Sequence, residues 1–333
     1  MASLLNLIAK NSQIAMELIN HTEYPALMFR SEMSDEKYAM SVAIRITYDI
    51  IDGNAITAEI QEWVLKPQTW QSQYGLMESD NVFKRGGVDI LLFGSAKAPK
   101  GIPTTSMNVE VKFNNQPINK IAVFGERVWE KSILGMYIST PKSFTEMPIS
   151  LENAYGGQAE WDGLSVPYNN NPYGKGYHHS KEDHVGKPLP NIELPDKLIR
   201  KWTDQPDPIG VGCLPQLCEL HMRNNIEFDR EGRITKFEPR FYNTAFPAMI
   251  VDKIEDNDII EIIGMSESSF KFKIPSKKIS MKVSLGERSK SWEMYIEQVG
   301  IIIDKKSAFI TYRCPVNYKF VPHEIRKCEV FST

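Results

Sequence analysis

Residues 38–51, YAMSVAIRITYDII, and the Asp-Gly-Asn that follows them are the stretch that decides the fold. Apolar side chains occupy every second position from Met40 to Tyr48, so an extended strand would carry them all on one face. The residues at 52–54 tolerate the positive φ angles of a tight turn. The sequence therefore predicts a β-hairpin in which residues 55–64 return beside residues 38–51.

The same alternation continues towards both ends of the chain. Short runs joined by turn residues are typical of antiparallel all-β proteins. We predict one short helix at residues 214–222, and further strands at residues 13–19, 90–93, 107–113, 118–125, 258–263, 269–274, 279–285, 292–304 and 307–314.

The predicted fold class is mainly β. Antiparallel sheets would form a sandwich-like or two-sheet arrangement, with a long irregular central segment rich in Gly, Pro and aromatic residues and with few short helices. We expect residues 1–333 to form one β-rich unit. Within it we predict an N-terminal sheet at 1–140, an irregular central region at 141–250 and a C-terminal sheet at 251–333.

Composition excludes several classes of function. The chain carries 39 basic and 42 acidic residues, a net charge of −3, and no sustained basic block, so we expect no nucleic-acid partner. No run approaches the roughly 20 apolar residues of a membrane helix, and the first residues lack the pattern of a signal peptide. We expect a cytoplasmic protein with no membrane partner.

Cysteine usage points to buried or inert thiols. The chain has four cysteines, at Cys213, Cys218, Cys314 and Cys328. A disulfide framework belongs to short secreted domains, and this chain is long. The interval between Cys213 and Cys218 is a poor match to the ligand spacing of structural zinc sites.

Residues 147–191, MPISLENAYGGQAEWDGLSVPYNNNPYGKGYHHSKEDHVGKPLPN, interrupt the strand pattern. Long irregular segments in compact proteins are usually functional or disordered, and disordered segments are poor in aromatic residues. We therefore predict an ordered loop region that is packed by its own side chains. Its aromatic residues either bind a partner or organise the loop, and they are Tyr155, Trp161, Tyr168, Tyr173 and Tyr177.

The same region offers residues of types used in metal binding and in catalysis. His178, His179 and His184 have the chemistry of metal ligands, although an exposed polar loop gives the same composition. Three carboxylates among aromatic residues suit a carbohydrate-active or metal-dependent hydrolase, if they face one another across a cleft. They are Glu152, Glu160 and Asp162.

Asp89 and Arg127 form a candidate structural pair. Asp89 begins one apolar strand, and Arg127 follows the end of another. A carboxylate and a guanidinium at strand ends can bind each other through charge-assisted hydrogen bonds. We predict that the two residues pair and anchor the irregular centre.

Five segments between residues 84 and 250 resemble the DUF2169 family. In chain order they are RGGVDILLFGSAKAPKG, GERVWEKS, FTEMPISLENAYGG, NNNPYGKGY and KPLPNIELP, and PRFYNTAFP at 239–247 adds to them. The chain departs from the family pattern at 213–236, which lacks a Trp-containing stretch and a Gly-Thr-Tyr-Asp turn. Partner specificity carried by that segment would differ accordingly.

The resemblance implies an adaptor-chaperone of type VI secretion that is not an enzyme and needs no cofactor. Such a protein would hold a cognate effector, through its N-terminal or PAAR-like region, and help to load it onto a PAAR or VgrG spike protein. Two other functions remain open: the hydrolase described above, and a structural component of the secretion spike.

Overall fold

The computed structural model describes residues 16–34, 36–216, 218–321 and 324–332. About half of the described residues lie in strands. In chain order the strands are β1 (Glu17–Asn20), β2 (Ala26–Ser34), β3 (Lys37–Ile51), β4 (Asn54–Thr57), β5 (Trp70–Ser72), β6 (Gly75–Met77), β7 (Val88–Phe93), β8 (Ser95–Lys97), β9 (Ser106–Phe113), β10 (Gln116–Phe124), β11 (Trp129–Ser132), β12 (Gly135–Ile138), β13 (Glu146–Pro148), β14 (Tyr155–Gly156), β15 (Gln158–Trp161), β16 (Leu164–Pro167), β17 (Lys175–Gly176), β18 (Ile192–Glu193), β19 (Ile226–Phe228), β20 (Ile234–Phe237), β21 (Ile250–Val251), β22 (Ile259–Ile263), β23 (Phe270–Lys273), β24 (Ile279–Leu285), β25 (Arg288–Glu293), β26 (Tyr295–Ile302), β27 (Ser307–Lys319) and β28 (Arg326–Ser332).

Helices are few and short among the described residues. The α-helices are α1 (Lys181–His184) and α2 (Glu219–Asn225), and 3₁₀ turns lie at Pro99–Gly101, Leu151–Asn153, Pro239–Tyr242 and Pro247–Met249. None of these described helices is long and apolar enough to cross a membrane. The prediction of a mainly β fold with antiparallel sheets and few helices is confirmed.

A long sheet organises the molecule, in the order β18-β10-β9-β22-β23-β4-β3-β27-β26-β7-β21, with β2 also paired to β3. Its centre is the antiparallel pair of β3 and β27, in register from Lys37 opposite Lys319 to Asp49 opposite Ser307. Most neighbours are antiparallel, but β26 and β7 run parallel. A second sheet, in the order β1-β28-β24-β25, packs its apolar face into the same core.

The predicted hairpin at 38–64 is confirmed in its first part. β3 turns into β4 through Asp52 at φ 50° and Gly53 at φ 79°. β4 ends at Thr57 and does not reach residue 64. The Gln61 side chain then takes the place of a strand, because its Oε1 accepts a hydrogen bond from the Thr47 N–H at 2.8 Å.

Most other predicted strands are present, with shifted limits. The run at 292–304 divides into β25 and β26. Residues 13–15 of the predicted first strand lie outside the described residues, and β1 covers Glu17–Asn20. The predicted helix at 214–222 is shifted to Glu219–Asn225, and the backbone N–H of Gln216 before it donates to the Glu78 carboxylate at 3.0 Å.

The expected division into an N-terminal sheet at 1–140 and a C-terminal sheet at 251–333 is not how the strands pair. β3 lies between β4 and β27, and β22 and β23 lie between β9 and β4. Strands from both ends of the chain therefore alternate in one sheet. Apolar alternation shows which side of a strand is buried, but it does not show which strand lies beside it.

Candidate functional site

Residues 147–193 form an ordered set of short strands, as the aromatic content predicted. β13 pairs with β8 at the edge of the structure, and β14 pairs in parallel with β17. β15 and β16 form a hairpin whose turn places Asp162 at φ 48° and Gly163 at φ 78°. Tyr155 of β14 lies in a small apolar cluster that is separate from the main core.

Three of the five candidate aromatic residues pack into that cluster. Tyr155 is buried beside Trp129, Leu189 and Ile199, and Tyr168 and Tyr177 pack against the same group. The Tyr155 and Tyr168 rings meet edge to face with centroids 5.2 Å apart. Burial raises the pKa of the Tyr155 hydroxyl, so it stays a neutral group. These tyrosines organise the region.

The other two aromatic candidates face solvent. Trp161 is 53% exposed and Tyr173 is 56% exposed. Trp161, at the end of β15, stacks on His179 with ring centroids 4.3 Å apart. Tyr173 lines the mouth of a cavity of about 320 Å³, together with Leu151, Glu152 and Tyr74. Of the five candidates, this pair is the one placed to contact another molecule.

Asn171 holds the region together, and sequence reasoning did not single it out. Its Nδ2 donates hydrogen bonds to the carbonyls of Leu151, at 2.7 Å, and Tyr155, at 3.1 Å. Its own carbonyl accepts from Gly157 N–H at 2.8 Å. A Cβ on Gly156 would lie 2.1 Å from that carbonyl oxygen, so this glycine is required by close backbone approach.

The three histidines do not converge. His179 lies against Trp161, whereas the buried His184 ring lies between Trp129 and Trp202. His178 lies beside His184, with ring centroids 4.9 Å apart. No group of three His, Cys, Asp or Glu side chains suited to a metal ion occurs within 16–34, 36–216, 218–321 and 324–332.

The acidic residues of the histidine segment have a local structural role. Ser180 and Asp183 form a capping box at the start of α1, in which each side chain binds the other residue's backbone N–H. The His184 Nδ1 lies 2.6 Å from the Ser180 carbonyl oxygen.

Burial lowers the pKa of His178 to about 4, so its ring is neutral at physiological pH.

The three carboxylates suggested for hydrolysis are exposed and lie on separate elements. Glu160 lies on β15, and Asp162 lies in the turn that follows it. Glu152 lies on a 3₁₀ turn beside the 320 Å³ cavity.

A second, open groove of about 1220 Å³ runs beside Lys84–Val88. Two of the charged residues that line it, Arg240 and Asp252, bind each other at 2.5 Å.

Asp89 and Arg127 do not pair with each other, in contrast to the prediction. The Asp89 carboxylate accepts hydrogen bonds from the Thr244 N–H and hydroxyl, both at 2.9 Å, and lies 3.7 Å from Arg85. Arg127 binds Glu193 and donates to the Pro190 carbonyl at 2.7 Å. The sequence does not show which of several oppositely charged side chains lies nearest to a residue at the end of a strand.

The partners of Asp89 belong to a buried ionic network that the sequence did not reveal. Arg45, Arg85 and Arg313 lie among Asp80, Asp89 and Glu297, and each of these side chains is at most 3% exposed. Arg313 donates to Glu297 at 2.6 Å and to the Val82 carbonyl at 2.7 Å. The balanced charges attach residues 64–85 to the face of the long sheet.

The four cysteines are all buried and free, as predicted. Burial raises the pKa of Cys213 to about 12 and that of Cys314 to about 11. The thiolate form is therefore scarce at neutral pH, and these residues behave as small apolar side chains.

We call the apolar cluster around Tyr155, Tyr168 and Tyr177 the tyrosine cluster. Exposed aliphatic residues stand at the tips of two hairpins that lie next to it in the chain. Ile133 and Leu134 are 106% and 100% exposed at the turn between β11 and β12. Leu164, 70% exposed, follows Trp161 across the turn between β15 and β16. We call these four residues with Tyr173 the hairpin surface.

The base of the first hairpin is fixed in the cluster. Trp129 is 2% exposed and pairs with Val185 through an isolated bridge, and its N–H donates to the Lys187 carbonyl at 3.1 Å. The tip with Ile133 and Leu134 therefore stands on an ordered, buried base. Adjacent exposed apolar residues such as Ile133 and Leu134 are candidates for a binding surface.

The fold and this surface define a mainly β protein in which a large mixed sheet supports a hairpin-bearing central region. The chain belongs to the DUF2169 family, described as an uncharacterized protein conserved in bacteria, which it matches over residues 35–313. Neither the curated proteins nor the solved structures contain a match.

Proposed function

We propose that this protein is a non-enzymatic adaptor of type VI secretion. In the cytoplasm it binds a cognate effector through the effector's N-terminal or PAAR-like region and promotes its loading onto the PAAR or VgrG spike. The resemblance in sequence, from RGGVDILLFG to PRFYNTAFP, supports this class of function.

The exposure of Ile133 and Leu134 is the observation that carries the proposal. Two adjacent aliphatic side chains in full contact with water cost free energy, and covering them on binding recovers it at about 25 cal/mol per Å². A few anchor residues supply most of the binding energy in protein interfaces. The hairpin surface is therefore the proposed contact with the client.

The hairpin that carries Ile133 and Leu134 is well ordered, and this order favours binding. Ile133 and Leu134 follow directly on β11, whose register with β12 is regular from Trp129 opposite Ile138 to Ser132 opposite Gly135. The Ser132 hydroxyl further accepts from the Leu134 N–H at 3.2 Å and fixes the turn. Little conformational entropy is lost when such a tip docks.

Co-purification with the effector encoded beside the gene tests the proposal. The wild-type chain should form a stoichiometric complex and raise the solubility of the effector. A double variant, Ile133→Ser with Leu134→Ser, should weaken the complex by roughly 10- to 100-fold, since each substitution removes an interface anchor. Affinity is measured by isothermal titration with the purified N-terminal region of the effector.

A matched control replaces two exposed aliphatic side chains elsewhere. Ile60 and Ile325 are 78% and 70% exposed and lie outside the hairpin surface. The variant Ile60→Ser with Ile325→Ser should bind as the wild type does. Equal binding by both double variants would exclude the hairpin surface, and failure of the wild type to bind any neighbouring gene product would exclude the adaptor function.

A further inference from the structure

β2 is an edge strand of the long sheet whose outer side has no partner among the described residues. It pairs with β3 from Ala26 opposite Ile44 to Ser34 opposite Lys37. The edge of β3 that faces away from β2 is already paired with β27. The outer edge of β2 thus presents unpaired backbone N–H and C=O groups, which can accept another strand.

Main-chain hydrogen bonds show which residues of β2 point outward. The Arg45 N–H donates to the Pro25 carbonyl at 3.1 Å, so odd-numbered residues of β2 face β3. The Ile50 N–H donates to the Lys306 carbonyl at 2.7 Å, which confirms that even-numbered residues of β3 face β27. In an antiparallel ladder the intervening residues direct their N–H and C=O groups to the other side. In β2 these are Ala26, Met28, Arg30 and Glu32.

The first half of this edge is apolar and unprotected. Residues 26–29, Ala-Leu-Met-Phe, are half-buried, and they include neither a charge nor a proline. The outer strand of the second sheet, β25, is different, since its sequence RSKSWE carries the charges that normally prevent edge pairing. Of these two edges, β2 has the longer uncharged run, and it also carries Arg30 and Glu32 further along the strand.

The charged residues of β2 favour a second copy of this chain as the partner at its free edge. Arg30 and Glu32 are both exposed, and neither has an ion-pair partner within the described part of the chain. They lie on one face of β2 because they are two residues apart. When two β2 strands pair antiparallel about Ser31, each Arg30 lies directly opposite the partner's Glu32.

The alternative registers are less favourable. Pairing about Arg30 would place the two arginines opposite each other, and pairing about Phe29 would place Arg30 opposite Met28. Opposite charges in directly facing positions stabilise a strand pair, whereas like charges destabilise it. Residues 30–34 are exposed throughout, so this end of the hairpin is open to a second molecule.

We propose that the protein forms a two-fold symmetric homodimer through antiparallel pairing of its two β2 strands about Ser31. β2 lies outside the 35–313 segment that matches the family, and this proposal does not depend on the adaptor function. The β2 strands then join the two long sheets into one continuous sheet.

Light scattering after size exclusion gives the first test. The mass of the purified full chain should approach twice that of one chain as its concentration rises through the micromolar range. Arg30→Glu places like charges opposite each other at both symmetric positions and should weaken dimerisation roughly tenfold. Arg30→Glu with Glu32→Arg exchanges the two charges and should restore the wild-type dissociation constant. A monomer at every concentration, or a double variant as weak as the single one, would overturn the proposal.

A crosslink tests the register. Facing residues of a non-hydrogen-bonded pair have Cα atoms about 4.5 Å apart, within the range that a disulfide spans. Ser31→Cys should therefore give a covalent dimer under mild oxidation, because the native cysteines are buried. Ser289→Cys, on the exposed edge strand β25, should stay monomeric. A Ser31→Cys chain that crosslinks to a client peptide and never to itself would assign the edge to the client instead.

Discussion

Arg45 and Asp80 form a two-point ion pair in the interior of the protein. The Nη2–Oδ1 distance is 2.6 Å and the Nη1–Oδ2 distance is 3.3 Å, and the side chains are 0% and 3% exposed. Arg45 lies in the central strand of the long sheet, and Asp80 lies in the segment that covers it. The pair therefore ties two layers together at a point that water does not reach.

Asp80→Ala should destabilise the protein by about 3–5 kcal/mol, since it leaves the Arg45 guanidinium buried without its counter-charge. The free energy of unfolding in urea measures this. Glu126→Ala is the control, because its partner Lys142 and Glu126 itself are 76% and 71% exposed. It should cost less than about 1 kcal/mol. Equal losses from the two variants would contradict the role given to the buried pair.

Gly156→Ala should loosen the central region, because the added Cβ would lie 2.1 Å from the Asn171 carbonyl oxygen. Limited proteolysis should then cleave within residues 147–193 at a lower protease concentration. Gly163→Ala separates this clash from backbone strain, since Gly163 has φ +78° and a Cβ there would meet no described atom within 4 Å. It should cost only about 1 kcal/mol. Equal protease sensitivity of the two variants would show that close approach at Gly156 is unimportant.

Tyr155 and Trp161 should respond very differently to truncation. Tyr155 is 4% exposed within the tyrosine cluster, so Tyr155→Ala should cost about 3–5 kcal/mol in the free energy of unfolding. Trp161 is 53% exposed, and Trp161→Ala should cost less than about 1 kcal/mol while weakening client binding. A large loss of stability from Trp161→Ala would place this residue among the packing residues instead.

Stability should fall in mild acid because of His178. Burial is the main cause that lowers its pKa from the ordinary 6.5 to about 4, and His184 and Lys187 add to the effect while Asp183 opposes it. Below pH 6.5 the unfolded chain takes up a proton that the folded chain does not, so this stability is complete above pH 6.5 and is lost as the pH falls towards 4. The melting temperature of His178→Phe should depend less on pH over this window. An unchanged slope would mean that other groups control the acid response.

The sequence predicted the β class, the turn at 52–54 and most strands, because alternation and turn residues are local signals. It could not predict the ionic network. Ser41, Arg45 and Thr47 alternate with apolar residues in β3 and look like a solvent face, yet all three are buried. Residues 64–85 cover that face, and a contact so distant in sequence leaves no periodic pattern in the strand.

In the central region, too, the sequence predicted only part of the structure. Its aromatic residues were identified as candidates from composition, but composition did not separate Tyr155, Tyr168 and Tyr177, which pack inward, from Trp161 and Tyr173, which point outward. That separation depends on the parallel pairing of β14 with β17 and on the hydrogen bonds of Asn171. Ile133 and Leu134 were not identified from the sequence, because an apolar dipeptide does not itself show that it lies in a hairpin turn.

The pairing of β3 with β27 also has a consequence for synthesis. Residues 37–49 leave the ribosome long before residues 307–319, which form one whole side of their ladder. Until then one edge of β3 lacks its hydrogen-bonding neighbour, and the central sheet cannot form completely on the nascent chain. The central sheet can be completed only when almost the entire polypeptide has been synthesised. A prematurely terminated product therefore keeps an unpaired strand edge that is prone to aggregation, and we expect it to be degraded by cellular proteases.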